Sequence, residues 1–112
     1  MKKLFFLFLL LPALCSAQVN LDSLLSVWND PNQADTSRLN AMDDIAWEGY
    51  VFSQPDSAFY FAQQQYDYAE QKGLKRYKAQ ALKTQGESFR VKGNYSKAMD
   101  FQLQAMKIYE EI

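Results

Sequence analysis

"ALKTQGESFRVKGNYSKAMDFQLQA", residues 81–105, reads as helix almost throughout yet carries two glycines, Gly86 and Gly93. A glycine inside a helix costs about 0.5–1 kcal/mol relative to alanine, so a chain that keeps both has a structural use for them. The spacing around them is regular. Leu82, Gly86 and Phe89 fall on one face of a helix expected from about Lys75 to Lys92. Ala98 and Ala105 fall on the facing side of a second helix, expected from about Tyr95 to the chain end.

Working outward, the same helical spacing continues towards the N-terminus. "LDSLLSVWND" places Leu21, Leu24, Leu25 and Trp28 on one face, and Pro31 with the polar run 32–37 then breaks the pattern. A second helix is expected from one of Asp35, Thr36 or Ser37 as N-cap to about Ser53, with Leu39, Met42, Ile45, Ala46 and Gly49 as its apolar face. Pro55 suits a first helical turn and Asp56 its positive end, so a third helix starts there. Gly73 ends it. No segment alternates with period two between turn residues, and the expected fold class is all-α, in short antiparallel hairpins.

The hairpins repeat. A shift of 40 residues pairs Ala41 with Ala81, Val51 with Val91, Ala58 with Ala98, Phe61 with Phe101, Gln64 with Gln104 and Glu70 with Glu110. It also lays Met42 on Leu82, Ala46 on Gly86 and Ser53 on Gly93. A period of this size implies stacked helical pairs.

The second pair resembles the tetratricopeptide repeat. That family's pattern is a bulky residue, a small one four later, an aromatic three further on, Gly-Asp/Asn-Tyr at the turn, and two alanines in the second helix. Leu82, Gly86, Phe89, Gly93, Tyr95, Ala98 and Ala105 fit it at fixed offsets over 79–111. The resemblance implies a stacked α-solenoid in which Gly86 lets two helix backbones approach, Gly93 is the left-handed residue that ends the helix, and Tyr95 wedges between neighbouring hairpins. Residues 38–73 look like a divergent first repeat, with Ala46 at the small position, Gly49 where an aromatic is usual and Pro55 where the tyrosine would stand. Residues 74–112 are then the second repeat, and 18–37 an N-terminal capping or partial-repeat helix and loop.

Members of this family bind peptides or protein surfaces in a concave groove lined by the first helix of each pair. Transferred by position, the groove holds Asn40, Asp43, Trp47, Tyr50 and Val51 from the first pair, and Gln80, Lys83, Glu87, Arg90 and Val91 from the second. The family's carboxylate clamp is not implied, because Asp43 and Trp47 stand where its first lysine and asparagine belong.

The N-terminus has a different character. "MKKLFFLFLLLPALCSAQ" runs from two lysines through an apolar stretch, Leu4 to Cys15, to the small-residue site Cys15-Ser16-Ala17. This is the order of a secretory signal peptide, residues 1–17, and the stretch is too short to span a bilayer. The mature chain is expected to start at Gln18 and to be periplasmic or secreted. Lipid anchoring at Cys15 is disfavoured, since that processing wants a small residue before the cysteine and here it is Leu14.

Composition excludes much chemistry. The chain has no histidine and a single cysteine, Cys15. The mature chain therefore lacks disulfides, thiolate catalysis, cysteine metal sites, and the commonest general base. Its scattered glycines make no phosphate loop. No cofactor, metal or catalytic residue is expected, and Asp43, Asp44 and Glu48 read as solvated acids without a companion nucleophile. The aromatics Phe59, Tyr60, Phe61, Tyr66 and Tyr68 read as core packing, not as a ring-stacking site.

Charge is divided. From 18 to 70 there are nine acids against Arg38 alone; from 71 to 112 there are nine basic residues against four acids. Two solvated helix surfaces that attract each other are the favoured reading of this division and a binding polarity is the alternative; nucleic acid is not an expected partner of an exported acidic chain.

The expected function is an exported scaffold that binds a protein or peptide partner, or further copies of itself, without a membrane span. The alternative is the N-terminal sensory region of a bacterial envelope signal-transduction protein: a histidine kinase, an adenylate or guanylate cyclase, or a transcriptional regulator. The last helix is expected to leave Phe101, Ala105 and Ile108 without a following helix to cover them.

Overall fold

The computed structural model describes residues 20–112, so the expected signal peptide and Cys15 lie outside the described residues. Among the described residues, five helices follow one another. They are α1 (Leu21–Asn29), α2 (Asp35–Asp44, continued by a π-helical stretch Ile45–Tyr50), α3 (Pro55–Lys72), α4 (Lys75–Val91) and α5 (Tyr95–Glu110). No strand occurs among the described residues, and the fold is all-α as expected.

The forty-residue shift holds in the helices themselves. Asp35 and Lys75 begin the first helices of the two pairs, and Pro55 and Tyr95 begin the second. Each pair is antiparallel: Asp35 at the start of α2 meets Tyr68 near the end of α3, and Lys75 at the start of α4 meets Glu111 just past the end of α5. Burial repeats with the same period, since Ala41 and Ala81, Met42 and Leu82, Ala46 and Gly86, and Ala58 and Ala98 are all buried.

Local chemistry sets the helix ends. Pro55 opens α3, where its missing N–H costs nothing. Gly73 and Gly93 have φ of 69° and 83°, the left-handed region that side chains avoid. After each glycine the chain folds back in the same way. Leu74 N–H bonds to Ala69 O at 2.9 Å, Asn94 N–H bonds to Phe89 O at 2.9 Å, and these six-to-one bonds satisfy carbonyls at the helix ends. Asn94 then caps α5 by accepting from Lys97 N–H.

The start of α2 departs from expectation. Ala34, not Asp35, Thr36 or Ser37, occupies the N-cap position, and no side chain bonds there. Asp35 lies in the first turn instead, and its carboxylate accepts from the Tyr68 hydroxyl at 2.5 Å, so it is engaged in tertiary structure.

The core is built from small residues. Among the described residues, nine of the fourteen buried apolar side chains are alanine, so helices approach closely and each contact buries little area. Its centre is Ala46, Ala62 and Ala81, covered by Phe61 and Tyr66. Gly86 continues this logic between α4 and α5: a Cβ there would lie 3.2 Å from the Ala98 carbonyl oxygen and 2.8 Å from Gln102 Nε2. Beside this contact, Phe59 of α3, Phe89 of α4 and Phe101 of α5 form a three-ring cluster with centroids 5.4–5.8 Å apart, which ties the two pairs together.

Packing of α1 explains the unusual first pair. A Cβ on Gly49 would lie 2.9 Å from Leu21 Cδ2, so an aromatic side chain here would collide with α1. Nearby, the π-helical stretch widens the end of α2 and closes with Gln54 N–H on Tyr50 O at 2.7 Å.

Three expectations are corrected. Tyr95 does not wedge between hairpins; it is 70% exposed at the start of α5, on a face that no other described element covers. Ala105 is buried, and Phe101 and Ile108 are half-buried, because that face of α5 turns towards α4. The exposed apolar face is a different one, carrying Met99, Leu103 and Met106. Tyr60 is also exposed, although the other aromatics of α3 are at least half-buried.

Candidate binding cleft between α2 and α4

Where the first helices of the two pairs lie side by side, they leave an open cleft of about 240 Å³. Asp43 and Trp47 enter it from α2, Gln80, Lys83 and Thr84 from α4, and Tyr109 from the last turn of α5. Each set follows from helix geometry. Residues three and four apart share a face, and the antiparallel return of α5 brings its end beside the start of α4.

The charges here are held in specific environments. Asp43 is half-buried, and burial pushes its carboxyl above the usual carboxylate range; Asp44 and Glu48 push the same way, while a hydrogen bond from Gln65 and the charge of Lys83 oppose them. Lys83 Nζ stands 6.0 Å from the Trp47 ring centre, within cation–π range. Burial also raises the Tyr109 phenol, with the Asp43 charge second and Arg76 opposing.

Two buried acceptors nearby lack donors. Gln65 is fully buried; its Nε2 donates to Asp43 Oδ1 at 3.3 Å and to Tyr77 O at 3.1 Å, leaving Oε1 without a partner. Gln80 Oε1 is likewise buried and unbonded. A buried acceptor left unpaired costs about 1–3 kcal/mol.

The cleft therefore offers aromatic faces, one carboxylate and one ammonium. No group of three potential metal ligands occurs among the described residues. No described helix is long and apolar enough to cross a membrane.

Of the groove positions named from sequence, Asp43, Trp47, Gln80 and Lys83 come together. Others are placed elsewhere. Asn40 is exposed outside the cleft lining, and Tyr50 stacks on Phe61 of α3 at 5.2 Å. Val51 is fully buried and is not a groove residue, because the widened end of α2 turns it into the core. Glu87 and Arg90 pair with each other further along α4, with Arg90 Nε donating to Glu87 Oε1 at 2.8 Å, and Val91 is half-buried. Thr84 and Tyr109 were not foreseen. Thr84 lies four residues after Gln80 on the same face, a signal available in sequence, whereas Tyr109 needed the position of α5.

Comparisons with protein-family models, with curated proteins and with solved structures find no match for this chain.

Proposed function

We propose that the chain is an exported tetratricopeptide-type scaffold that binds an extended protein segment in the cleft between α2 and α4 and performs no catalysis. The observation that carries this reading is the cleft itself: half-buried Trp47 stands beside Asp43 and Lys83 at the junction of two repeated hairpins. Gly86 at a close helix contact, Gly93 as a left-handed cap, and the shared period of helix starts and burial support the family assignment.

Recognition follows from the chemistry of the lining. Buried aromatic anchors commonly carry interface energy, so Trp47 is the centre of the proposed site and Tyr109 its second wall. Asp43 and Lys83 read opposite charges on the bound segment and set its direction. Export rests on the basic, apolar and small-residue order of 1–17 and is checked separately, by intact mass of the exported protein. Gln18 or its cyclised form at the N-terminus supports cleavage after Ala17; a retained Met1 or a lipid on Cys15 refutes that cleavage.

The binding reading is tested by capture from the envelope fraction, followed by titration of the captured protein against the parent and Trp47→Ala. Circular dichroism confirms that both remain helical. Weakening by Trp47→Ala supports the cleft, and equal binding by the two proteins contradicts it.

A further inference from the structure

The inward face of α5 is occupied by Ala98, Phe101, Ala105 and Ile108, which pack towards α4 and the ring cluster. On the opposite side Tyr95, Met99, Leu103 and Met106 are 70%, 61%, 53% and 55% exposed. Their spacing of four, four and three residues makes one continuous apolar stripe along about three turns of helix.

Charge beside the stripe says what covers it. Asp100 follows Met99 and Lys107 follows Met106, so both stand on the same flank, seven residues and two turns apart. Both are exposed, and neither has an ion-pair partner among the described residues. Two helices that pair antiparallel bring the same flank of each together. When α5 is laid against a second α5 running the other way, centred between Leu103 and Gln104, Asp100 of each copy meets Lys107 of the other. Leu103 and Met106 of the two copies then interleave at the centre. A parallel arrangement gives no such match, because it brings unlike flanks together.

We propose that the exposed face of α5 binds the same face of a second copy of this chain, antiparallel and two-fold symmetric, with apolar contact at Met99, Leu103 and Met106 and reciprocal Asp100–Lys107 pairs at the flank. This surface is separate from the cleft between α2 and α4, and the inference does not depend on that cleft binding anything. An isologous contact of this kind closes on itself and stops at the dimer.

The test is sedimentation equilibrium of the full chain over a dilution series, with circular dichroism on every variant. The parent is expected to show a monomer–dimer equilibrium, and Leu103→Asp to weaken the dimer by about tenfold or more while staying helical. Asp100→Lys and Lys107→Asp should each weaken it through like-charge contact, and the double variant should restore it. That rescue is specific to the antiparallel register. A monomer at every concentration overturns the proposal, which is also the outcome if another protein or a further segment of chain is the natural occupant. A dimer indifferent to Leu103→Asp, or a double variant no better than the singles, overturns it equally.

Discussion

Arg38 Nη1 donates to the Tyr68 hydroxyl at 2.9 Å, while the Arg38 guanidinium carbon stands 4.8 Å from the centre of the Tyr68 ring. The same guanidinium donates through Nε to Trp28 O at 2.8 Å, and the Trp28 and Tyr68 rings meet edge to face at 5.4 Å. The single basic residue of the acidic half thus joins α1, α2 and α3. Arg38→Ala is expected to release α1, at a cost of about 1–3 kcal/mol for the charge-assisted bonds lost. Arg38→Lys should recover little, because an ammonium cannot reproduce the fork. Amide exchange checks this: residues 21–29 should lose protection while α4 and α5 keep theirs. Unchanged exchange in α1 would show that the Trp28–Tyr68 and Leu21–Gly49 contacts hold it without Arg38.

The two central glycines fail differently when replaced. Gly93 has open space around the added carbon but a φ of 83°, so Gly93→Ala should cost about 1–2 kcal/mol through backbone strain, and Gly93→Asn less. Gly86→Ala should be nearly neutral, because the closest atom belongs to the flexible Gln102 side chain and alanine favours helix by about 1 kcal/mol. Gly86→Val has no such escape against the Ala98 carbonyl and should cost about 1–3 kcal/mol as α4 and α5 are pushed apart. Urea melts order these variants. A Gly86→Val protein as stable as the parent would refute the close-approach role.

These contrasts show what was legible in the sequence. Helix ends set by local rules were readable, since Pro55, Gly73 and Gly93 act through their own backbones. The four hairpin helix starts also keep the forty-residue shift, Asp35 with Lys75 and Pro55 with Tyr95. Features that depend on a distant partner were not readable. Asp35 is claimed by Tyr68 instead of a cap, Val51 is turned inward where α2 widens, and Tyr95 is exposed because nothing described packs over it. The cleft was half legible: Asp43, Trp47, Gln80 and Lys83 were implied by position through the resemblance to the tetratricopeptide repeat, whereas Tyr109 arrives by the return of α5.

Asp43 gives a pH dependence of unusual sign. Its carboxyl is raised above 3.8, chiefly by burial, so the folded state binds the proton more tightly than the unfolded state does. The contribution of this group therefore grows as pH falls through its folded value and is lost as pH rises. Asp43→Asn keeps the acceptor for Gln65 without the charge, and should match or exceed the parent's stability at neutral pH. Its advantage should shrink as pH falls towards about 4. Melts of both proteins across this range check it, and a variant less stable than the parent at neutral pH would contradict it.

The most direct test of the proposed cleft is isothermal titration of the captured partner segment into the parent, Trp47→Ala, Lys83→Ala and Ser96→Ala proteins. Trp47→Ala should weaken binding by about 1–3 kcal/mol, roughly fivefold to 150-fold. Lys83→Ala, at the exposed edge, should chiefly reduce the association rate and its salt dependence, and Ser96→Ala on the far side of α5 should leave affinity unchanged. If Trp47→Ala binds as the parent does while remaining helical, the cleft between α2 and α4 is not the binding site.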